Sequence, residues 1–365
     1  MRIVYTHEAL SEPVSRTSRY YYELVRRIQR KVESVCICKL ISTNKYFRKI
    51  KFGIPVFVKP SLLGLDEVVE KIEELNTRIN LKLRSYDVVH ITDDRSEVLK
   101  LTDKPVVITI HDVIAEKFNV YKKNPLCAHR YELINNATKI ICSSEITRND
   151  LLVLYDKVQP ENVFVVYPGY CKHTSRYENK YNFDYLLYVG SRHRQYKNFD
   201  RFLRATAPVL QQNNVKLICT GQAFDREELR FIRSLDLQDL VVNVGFVKED
   251  FLANLYHFAK MLVVPSKYEG YCSQILEAFE NECPVCLSDI PYFHELAAEA
   301  AAFFDPNSEL AIRNCIEYIL TTPNFAADLV SRGSERKLHF TWDAAVDQAY
   351  DVYQKAMEVK KRIRY

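Results

Sequence analysis

Twelve short apolar segments run through this chain, and an amphipathic stretch separates most of them from the next. Many of the segments are nearly continuous in β-branched and aliphatic residues, as is typical of strands buried on both faces. Intervening stretches such as SRYYYELVRRIQRKV and NFDRFLRATAPVLQQ have helical spacing. This alternation predicts parallel sheets with right-handed crossovers, an α/β doubly wound architecture. The apolar segments are residues 2–6, 35–41, 88–92, 106–110, 139–144, 163–169, 185–191, 215–221, 241–247, 261–266, 284–289 and 301–306.

The segments fall into two sets of six, which suggests two domains. A chain of 365 residues is also long for one hydrophobic core. A polar and aromatic stretch, YCKHTSRYENKYNFD, separates the two sets, and we interpret residues 171–184 as a linker. The predicted domains are therefore residues 1–170 and residues 185–342, with a final helix over residues 343–365.

The composition is that of a globular protein, with 47% hydrophobic and 27% charged residues. The net charge of +4 is mild, and we expect no nucleic-acid partner. The N-terminus has no long apolar stretch, so a cytoplasmic protein with free thiols is expected. Cys283 and Cys286 form a C-x-x-C pair without a second pair of matching spacing, which argues against a metal or redox site. G-x-G and P-loop motifs are absent from the sequence.

Ligands of open parallel sheets bind beyond the carboxyl ends of the strands. Arg192 and Lys197 follow the segment 185–191 and precede a helix that starts near Asn198. A helix N-terminus and two cations favour a phosphate group. The alternative is that these cations belong to a solvated loop.

Two glutamates near another strand end suggest a place for hydroxyl groups. Glu269 follows the segment 261–266, and Glu277 lies eight residues later within a helical pattern. Both could accept hydrogen bonds from ligand hydroxyls, Glu277 from a ribose, or both could bond groups of the protein itself. His111 follows the segment 106–110 and is a further candidate, although a lone histidine is more often structural.

Several longer stretches resemble family 4 of the retaining glycosyltransferases, which have the GT-B fold. YEGYCSQILEAF, together with CPVCLSDIPYFHELAAEAAAFFDP, resembles the donor-site segment of that family. YVGSRHRQYKNFDRFLRA resembles its phosphate loop, VVITIHDVIAEKF the segment with its histidine, and FTWDAAVDQAYDVYQKA its closing helix. The resemblance covers nearly the whole chain and implies two Rossmann-like domains that face a central cleft. It also implies that the closing helix returns to the first domain.

The resemblance implies metal-independent transfer of a sugar, with anomeric retention, from a nucleotide-diphosphate sugar to a hydroxyl acceptor. Arg192 and Lys197 would neutralise the diphosphate, Glu269 would hold sugar hydroxyls, Glu277 the ribose, and His111 the sugar. The other implied donor-binding residues are Gly190, Val247, Gly270, Tyr271, Cys272, Ser273 and Ile275. Arg16 and Arg19 are candidates for the acceptor or phosphate side.

Three departures from the family pattern bear on donor choice and loop geometry. Ser15-Arg16 stand where paired glycines are common. Cys272 and Gln274 replace a glycine and a proline, and a cysteine fits that turn only with an ordinary φ. Asn281-Glu282 replace a pair of small residues.

A basic and aromatic segment, residues 44–52, indicates possible contact with an anionic membrane surface. An ordinary basic loop is the alternative reading, and the C-terminal KKRIRY is open to the same two interpretations. We expect a cytoplasmic, peripheral hexosyltransferase of surface polysaccharide or lipopolysaccharide synthesis, with mannose one candidate sugar and a saccharide or lipid-linked acceptor. A nucleotide-sugar epimerase and a catalytically silent nucleotide-sugar-binding protein are the competing hypotheses.

Overall fold

Each of the twelve apolar segments forms a strand, and the strands pair in two parallel six-stranded sheets. The structure is a computed structural model that describes residues 1–11, 15–50, 54–55, 64–94, 96–118, 126–174 and 176–363. The strands are β1 Arg2–Tyr5, β2 Ser34–Ile37, β3 Ile41–Ser42, β4 Ile54–Pro55, β5 Val88–Ile91, β6 Val106–Ile110, β7 Lys139–Cys142, β8 Val163–Val165, β9 Tyr185–Val189, β10 Lys216–Thr220, β11 Val241–Asn243, β12 Met261–Val264, β13 Val285–Ser288 and β14 Ala302–Phe304. The helices are α1 Arg16–Ile28, α2 Lys45–Ile50, α3 Asp66–Leu83, α4 Ile114–Lys117, α5 Leu126–Asn136, α6 Glu145–Leu154, α7 Phe199–Asn213, α8 Arg226–Ser234, α9 Glu249–His257, α10 Ser273–Glu280, α11 Pro291–Ala297, α12 Glu309–Thr321, α13 Pro323–Arg336 and α14 Trp342–Ile363.

The first unit comprises residues 1–169 and 342–365. Its sheet has the order β2-β1-β5-β6-β7-β8, and every pairing is parallel. Helix α14 packs against α1 and this sheet. The Tyr353 hydroxyl of α14 lies 2.9 Å from the hydroxyl of Tyr5 and 2.7 Å from Nδ1 of His90. These buried contacts attach the final helix to the first sheet.

The second unit comprises residues 170–341, with the sheet order β11-β10-β9-β12-β13-β14. Its core forms between the sheet and the flanking helices, where Leu186, Leu203, Leu217 and Ile316 are fully buried. The strands β9, β12 and β13 consist mainly of aliphatic side chains with no exposed face, which explains their nearly continuous apolar sequence. Both sheets therefore have the parallel, doubly wound arrangement that the sequence predicted.

The segment 171–184, which we expected to be a linker, belongs to the second unit, and its described residues make contacts there. The Tyr177 ring stacks on His257 with ring centroids 3.8 Å apart, and its hydroxyl donates to Oδ1 of Asn281 over 3.1 Å. The backbone N–H of His173 donates to Oε1 of Glu280. Asn281, one of the departures from the family pattern, thus holds this segment in place.

Among the described residues, no helix is both long and apolar enough to cross a membrane. The nine cysteines whose side chains the structure describes are free thiols. Burial raises the pKa of Cys283 and of Cys286, which keeps both thiols protonated at neutral pH.

Candidate functional site

Two loops meet at the carboxyl ends of β9 and β12, which are neighbours in the second sheet. The loop after β9 contains residues 190–198, and the loop after β12 contains residues 265–272. The backbone N–H of Lys267 donates to the carbonyl of Tyr196 over 2.7 Å, which joins the two loops directly. The adjacency of the two strands therefore brings the cationic loop and the Glu269 loop together.

Lys197 and Glu269 form an ion pair at this junction. The Lys197 Nζ lies 2.5 Å from Oε1 of Glu269, and the Ser266 hydroxyl donates to the same oxygen over 2.7 Å. Glu269 is only 3% exposed, whereas Lys197 is half-buried. Among the described residues, both side-chain hydrogen bonds to this carboxylate end on Oε1. The pair holds a cation and a carboxylate side by side at the carboxyl end of the sheet.

The cation at Lys197 is placed by the residue that follows it. Asn198 has a left-handed backbone with φ of 56°, and its side-chain amide donates to the carbonyl of Pro306 over 2.7 Å. Asparagine tolerates this conformation better than most side chains. Asn198 therefore turns the chain from the loop into α7, a structural role that the sequence analysis did not assign.

Arg192 lies in a different environment from Lys197. Its guanidinium is buried and pairs with Oε1 of Glu228 at 2.7 Å, and it donates to the carbonyl of Gln222 at 2.5 Å. The guanidinium carbon also lies 4.6 Å from the ring centroid of Phe224. A buried guanidinium needs such partners to offset its desolvation. In this structure Arg192 attaches the loop to α8, which gives no support to the phosphate-binding role expected of it.

Helix α10 begins where the Glu269 loop ends, and its sequence carries the second glutamate. Glu277 accepts from the Tyr256 hydroxyl at Oε2 over 3.0 Å and from the Ser273 hydroxyl at Oε1 over 3.3 Å. Its side chain is half-buried. The carboxylate is thus oriented by two neutral hydroxyls, a hydrogen-bonding environment similar to that which ligand hydroxyls would provide.

The departures at Cys272 and Gln274 have clear structural roles. Cys272 precedes α10 with φ of −110°, an ordinary value that any residue adopts, so no glycine is required there. Its backbone N–H donates to the Tyr292 hydroxyl over 2.9 Å. The Gln274 side-chain amide donates to the carbonyl of Val189, which connects the start of α10 to the end of β9. Both side chains are buried, and so is that of Ile275.

Glycines follow the three neighbouring strands β9, β10 and β11. Gly190 and Gly221 have φ of 112° and 103°, and a Cβ on Gly221 would lie 3.1 Å from the carbonyl oxygen of Gly190. The N–H of Gly221 donates to the carbonyl of Gly245 over 2.9 Å. Three backbones lacking side chains therefore lie side by side at this edge.

The chain after Gly245 presents an aromatic residue that the sequence analysis did not select. Phe246 is 85% exposed, while the expected base-contacting residue Val247 is half-buried. Single exposed apolar side chains are common in folded proteins, so exposure alone assigns no role to Phe246. The signal available in the sequence was its position directly after a strand-end glycine.

His111 lies in the first unit, after β6. Its ring contacts Tyr20 edge-to-face at 4.7 Å, and its backbone carbonyl accepts from the Ser143 hydroxyl over 2.8 Å. Burial first, and then the charge of Arg130, lower the pKa of His111 to about 4. The imidazole is therefore neutral at physiological pH and can act as a hydrogen-bonding group without charge.

A network of buried charges centres on Arg130, near the backbone that carries His111. The Arg130 guanidinium pairs with Asp94 and with Glu116, each at 2.6 Å, and donates to the carbonyl of Asp112 over 2.7 Å. The Tyr155 hydroxyl donates to the same Glu116 oxygen over 2.6 Å. Arg130 thus fixes the backbone next to His111. No sequence motif marked Arg130.

The N-terminus of α1 differs from the family pattern for a local reason. Ser15 caps the helix, since its hydroxyl accepts from the backbone N–H of Ser18 over 3.0 Å. Arg19 is half-buried in the first turns of α1, and the side-chain placement of Arg16 lies outside the described part of the chain. The structure does not test the roles expected of these two arginines.

The membrane hypothesis for the segment 44–52 requires its aromatic side chains to be exposed, but two of them are buried. Tyr46 and Phe47 of α2 are buried, and residues 51–52 lie outside the described residues. Lys45 and Lys49 lie 4.7 Å and 5.9 Å from the ring centroid of Tyr46. The two aromatics pack into the first unit because apolar burial stabilises them there, so insertion of these two rings into lipid is ruled out for this conformation.

One group of possible metal ligands occurs among the described residues, namely His193, Asp225 and Glu228, whose ligand atoms lie within 4.8 Å of one another. Asp225 caps α8 and Glu228 pairs with Arg192, so both carboxylates have structural partners. The expected independence from metal remains a prediction.

Two family models match the chain in succession. The model described as Glycosyltransferase Family 4 matches residues 17–171, and that described as Glycosyl transferases group 1 matches residues 173–336. The two sheets and the strand-end loops, taken with these matches, define a glycosyltransferase with the GT-B fold. Within that class, the chain belongs to glycosyltransferase family 4.

Two relatives and one solved structure illustrate the similarity. The chain is 24% identical to an uncharacterised glycosyltransferase of Methanocaldococcus jannaschii, over 80% of this chain and 81% of that protein. It is 23% identical to O-antigen chain mannosyltransferase B of Escherichia coli, over 97% of this chain and 100% of that protein. The crystal structure of HepE from Anabaena in complex with UDP-glucose matches with a TM-score of 0.71 and 16% identity, over 99% and 100% of the two chains.

Proposed function

We propose that this glycosyltransferase moves a hexose from a nucleotide-diphosphate sugar to a hydroxyl of a saccharide or lipid-linked saccharide, with retention of the anomeric configuration. The observation that carries the proposal is the Lys197–Glu269 pair, placed where two loops join at the carboxyl ends of β9 and β12. The site of the donor is then the carboxyl end of the second sheet.

Lys197 is the cation assigned to the leaving diphosphate. Departure of the nucleotide leaves negative charge on the phosphate oxygens, and a fixed ammonium group stabilises that charge. In the structure the ammonium has Glu269 as its partner, so the donor would share Lys197 with this carboxylate. The N-terminus of α10 adds a second stabilising feature, because its free N–H groups and dipole favour anions. Arg192 would support this loop through Glu228 instead of contacting the donor.

The two glutamates would bind hydroxyl groups. Glu269 receives its protein hydrogen bonds at Oε1, which leaves Oε2 as the acceptor for a hydroxyl of the transferred sugar. Glu277 would exchange its 3.3 Å contact with the Ser273 hydroxyl for a ribose hydroxyl. The nucleotide would lie over the glycine backbones at the ends of β9, β10 and β11, with Phe246 and Val247 near the base.

His111 is assigned to the sugar as a neutral hydrogen-bonding group. Its lowered pKa makes a cationic role at neutral pH unfavourable. A neutral imidazole can donate to or accept from a hydroxyl without repelling the positive charge that develops on the sugar ring.

The proposed reaction needs no protein nucleophile. The acceptor oxygen forms a bond to the anomeric carbon on the face from which the diphosphate departs, and a phosphate oxygen takes the acceptor proton. The products are the glycoside and the nucleoside diphosphate. Metal independence belongs to the same proposal, because Lys197 and the α10 N-terminus would supply the positive charge.

Mannose is the first sugar to test, because a relative that aligns with nearly the entire chain is named an O-antigen mannosyltransferase. By the same reasoning we propose a role in surface polysaccharide or lipopolysaccharide assembly. The location would be the cytoplasm, at the inner face of the membrane where lipid-linked acceptors are available.

The test is product analysis with the purified full chain. GDP-mannose, UDP-glucose and other nucleotide hexoses would be incubated with saccharide and lipid-linked acceptors, and anomeric configuration would be read from the one-bond coupling between C1 and H1, which distinguishes the anomers of mannose as well as of glucose. An α-glycoside from an α-linked donor supports retention, and inversion contradicts it. Turnover of the donor sugar to an epimer without acceptor would instead indicate an epimerase. Binding without any turnover would indicate a silent nucleotide-sugar-binding protein.

A further inference from the structure

Two cysteine thiols lie against each other in the core of the second unit. The Sγ of Cys286 lies 3.2 Å from the Sγ of Cys315, although the two residues are 29 positions apart in the sequence. Cys286 belongs to β13 and Cys315 to α12. Because a disulfide bond is about 2.05 Å long, an approach of about 1 Å would bring the two sulfurs to bonding distance.

The sequence drew attention to a different pair, Cys283 and Cys286, because of their C-x-x-C spacing. In the structure the Cys283 thiol donates to the carbonyl of Pro284 over 3.5 Å, and the sulfur that Cys286 contacts is that of Cys315. No sequence motif connects Cys286 with Cys315. The pair is therefore revealed by the packing of α12 against the sheet and not by spacing along the chain.

Regular secondary structure holds both sulfurs in place. Strand β13 is paired with β12 on one side and with β14 on the other. Helix α12 packs against α7 and β14, and Ile312 and Ile316, which flank Cys315 on this helix, are fully buried. Elements fixed in this way keep the two thiols adjacent, and adjacency favours their reaction with each other.

The two thiols differ in exposure and in acidity. Cys286 is fully buried, whereas Cys315 is half-buried and is the sulfur that a small oxidant can reach. The hydrogen bond with Cys286 lowers the pKa of Cys315, while burial, followed by the same hydrogen bond, raises the pKa of Cys286. Since the thiolate is the reactive form of cysteine, Cys315 is the sulfur that reacts first.

We propose that Cys286 and Cys315 form a disulfide bond when the protein meets hydrogen peroxide, and that this bond fastens α12 to the second sheet. The Cys315 thiolate attacks a peroxide oxygen, which leaves a sulfenic acid on Cys315 and releases hydroxide. The hydroxide takes up the proton that Cys315 had released. The sulfur of Cys286 then attacks that of Cys315, and its proton leaves with the hydroxyl group as water. Two thiols and one peroxide thus give one disulfide and two waters, with both sulfurs oxidised and both peroxide oxygens reduced.

The bond would stabilise the folded second unit. It would close the stretch of chain between the two cysteines, which contains α11 and β14, and such closure lowers the entropy of the unfolded chain. Neither sulfur belongs to the loops 190–198 and 265–272. The proposal is therefore independent of the donor site, and the transfer assay reports separately on the proposed function.

The test is peptide mapping of the full chain after treatment with hydrogen peroxide, with the remaining thiols blocked by N-ethylmaleimide before digestion. We expect a cross-linked peptide that contains Cys286 and Cys315 and that dithiothreitol separates. The oxidised protein should melt roughly 5–10 °C above the reduced protein, because the cross-link closes a loop in the unfolded chain. Dithiothreitol should reverse this rise in Tm.

Cys315→Ser should abolish both the cross-link and the rise in Tm. The matched control is Cys171→Ser, which alters another half-buried cysteine of the second unit and should behave like the wild type. In Cys286→Ala the sulfenic acid on Cys315 has no thiol partner, so dimedone should trap it. Circular dichroism would verify that each variant is folded, and mapping of the wild type tests the proposal even if one variant is not.

Three results would overturn the proposal. The first is a wild-type protein that keeps the Cys286 and Cys315 thiols after peroxide treatment. The second is oxidation of Cys315 without a cross-link, or a cross-link between other cysteines only. The third is a Cys286–Cys315 cross-link that leaves Tm unchanged or lowers it, since the bond would then not fasten α12 to the sheet.

Discussion

The carboxyl ends of the two sheets carry charge in different ways. In the first unit, Arg130 is surrounded by Asp94, Glu116 and the carbonyl of Asp112, and the nearby His111 is neutral. In the second unit, Lys197 pairs with Glu269 and lies in a loop that is hydrogen-bonded to the neighbouring loop. This difference in charge underlies our proposal that the first edge binds sugar hydroxyls and the second edge binds the donor phosphate.

A second contrast lies within one loop of the second unit. Arg192 and Lys197 are separated by five residues, and each pairs with a glutamate. The guanidinium also bonds backbone carbonyls, whereas the ammonium group bonds one carboxylate. Each cation also lies near an aromatic ring, that of Phe224 for Arg192 and that of Tyr196 for Lys197. Two similar ion pairs can therefore differ in role. The Arg192 pair has more polar partners and stabilises its loop, whereas the Lys197 pair has fewer and can exchange one for a ligand.

The largest expected effect is on stability, from Arg192→Ala. Removing the guanidinium leaves Glu228 with an uncompensated charge in a largely buried position, at a cost of about 3–5 kcal/mol of unfolding free energy. Urea unfolding would measure the loss. Lys197→Ala also leaves a buried carboxylate, that of Glu269, without its cation, so it should be destabilising too. We expect a smaller loss than for Arg192→Ala, because Arg192 in addition bonds two backbone carbonyls. Equal destabilisation by the two substitutions would remove the contrast.

Lys197→Ala should have the largest effect on catalysis. Loss of one group that stabilises the leaving charge should lower the transfer rate by about 100-fold. The matched control is Lys260→Ala, because Lys260 also pairs with a carboxylate, Asp184, but at the amino end of β12. Near-wild-type transfer by the Lys197 variant would refute the phosphate assignment.

Glu277→Gln should affect donor affinity more than turnover. The amide keeps the shape of the side chain but weakens its hydrogen bonds to ribose hydroxyls, so the KM for the donor should rise about tenfold. Steady-state kinetics with varied donor would separate KM from kcat. A fall in kcat at unchanged KM would place Glu277 at the reacting sugar instead.

Phe246→Ala should raise the KM for the donor by a smaller factor, about fivefold, if the ring stacks on the base. Phe246 is highly exposed, so the substitution should leave thermal stability unchanged. Phe246→Tyr keeps the aromatic face and serves as the control, which should bind donor like the wild type. An alanine variant with unaltered KM would exclude base stacking.

A separate prediction concerns the pH dependence of stability. Burial lowers the pKa of His111 from its usual 6.5 to about 4. The contribution of His111 to the free energy of unfolding is therefore fully present above pH 6.5 and is lost as the pH falls towards 4. Between pH 7.5 and pH 5, His111 should account for at most about 2 kcal/mol of lost unfolding free energy. The His111→Asn variant should show a flatter pH dependence in urea unfolding. An unchanged slope would indicate that His111 titrates normally.

The sequence was sufficient for the strands because burial on both faces leaves a continuous apolar signal, as in VVITI, which forms β6 as predicted. It also indicated Lys197 and Glu269, since residues after adjacent parallel strands meet at one edge. The partners of Arg192 could not be predicted, because Glu228 and Gln222 lie 36 and 30 residues further along the chain, and no sequence motif marks either of them.

Helix α3 shows another limit of sequence analysis. Its apolar periodicity is helical, but periodicity does not specify which face is buried. The buried Glu73 sets the orientation instead, because its carboxylate accepts from the backbone N–H groups of residues 40 and 41. Similarly, the apolar content of α2 gave no information on whether Tyr46 and Phe47 face lipid or the core.

The most direct test of the central assignment is binding of nucleoside diphosphates by wild-type and Lys197→Ala protein. Thermal shift and calorimetric titration with the diphosphates GDP, UDP and ADP, and with the monophosphate CMP, would be compared, with Lys260→Ala as the control. We predict that one diphosphate stabilises the wild type and the control but not the Lys197 variant, because ligand binding to the native state raises Tm. Equal stabilisation of all three proteins, or no binding of any nucleotide by the folded wild type, would contradict a donor phosphate site at Lys197.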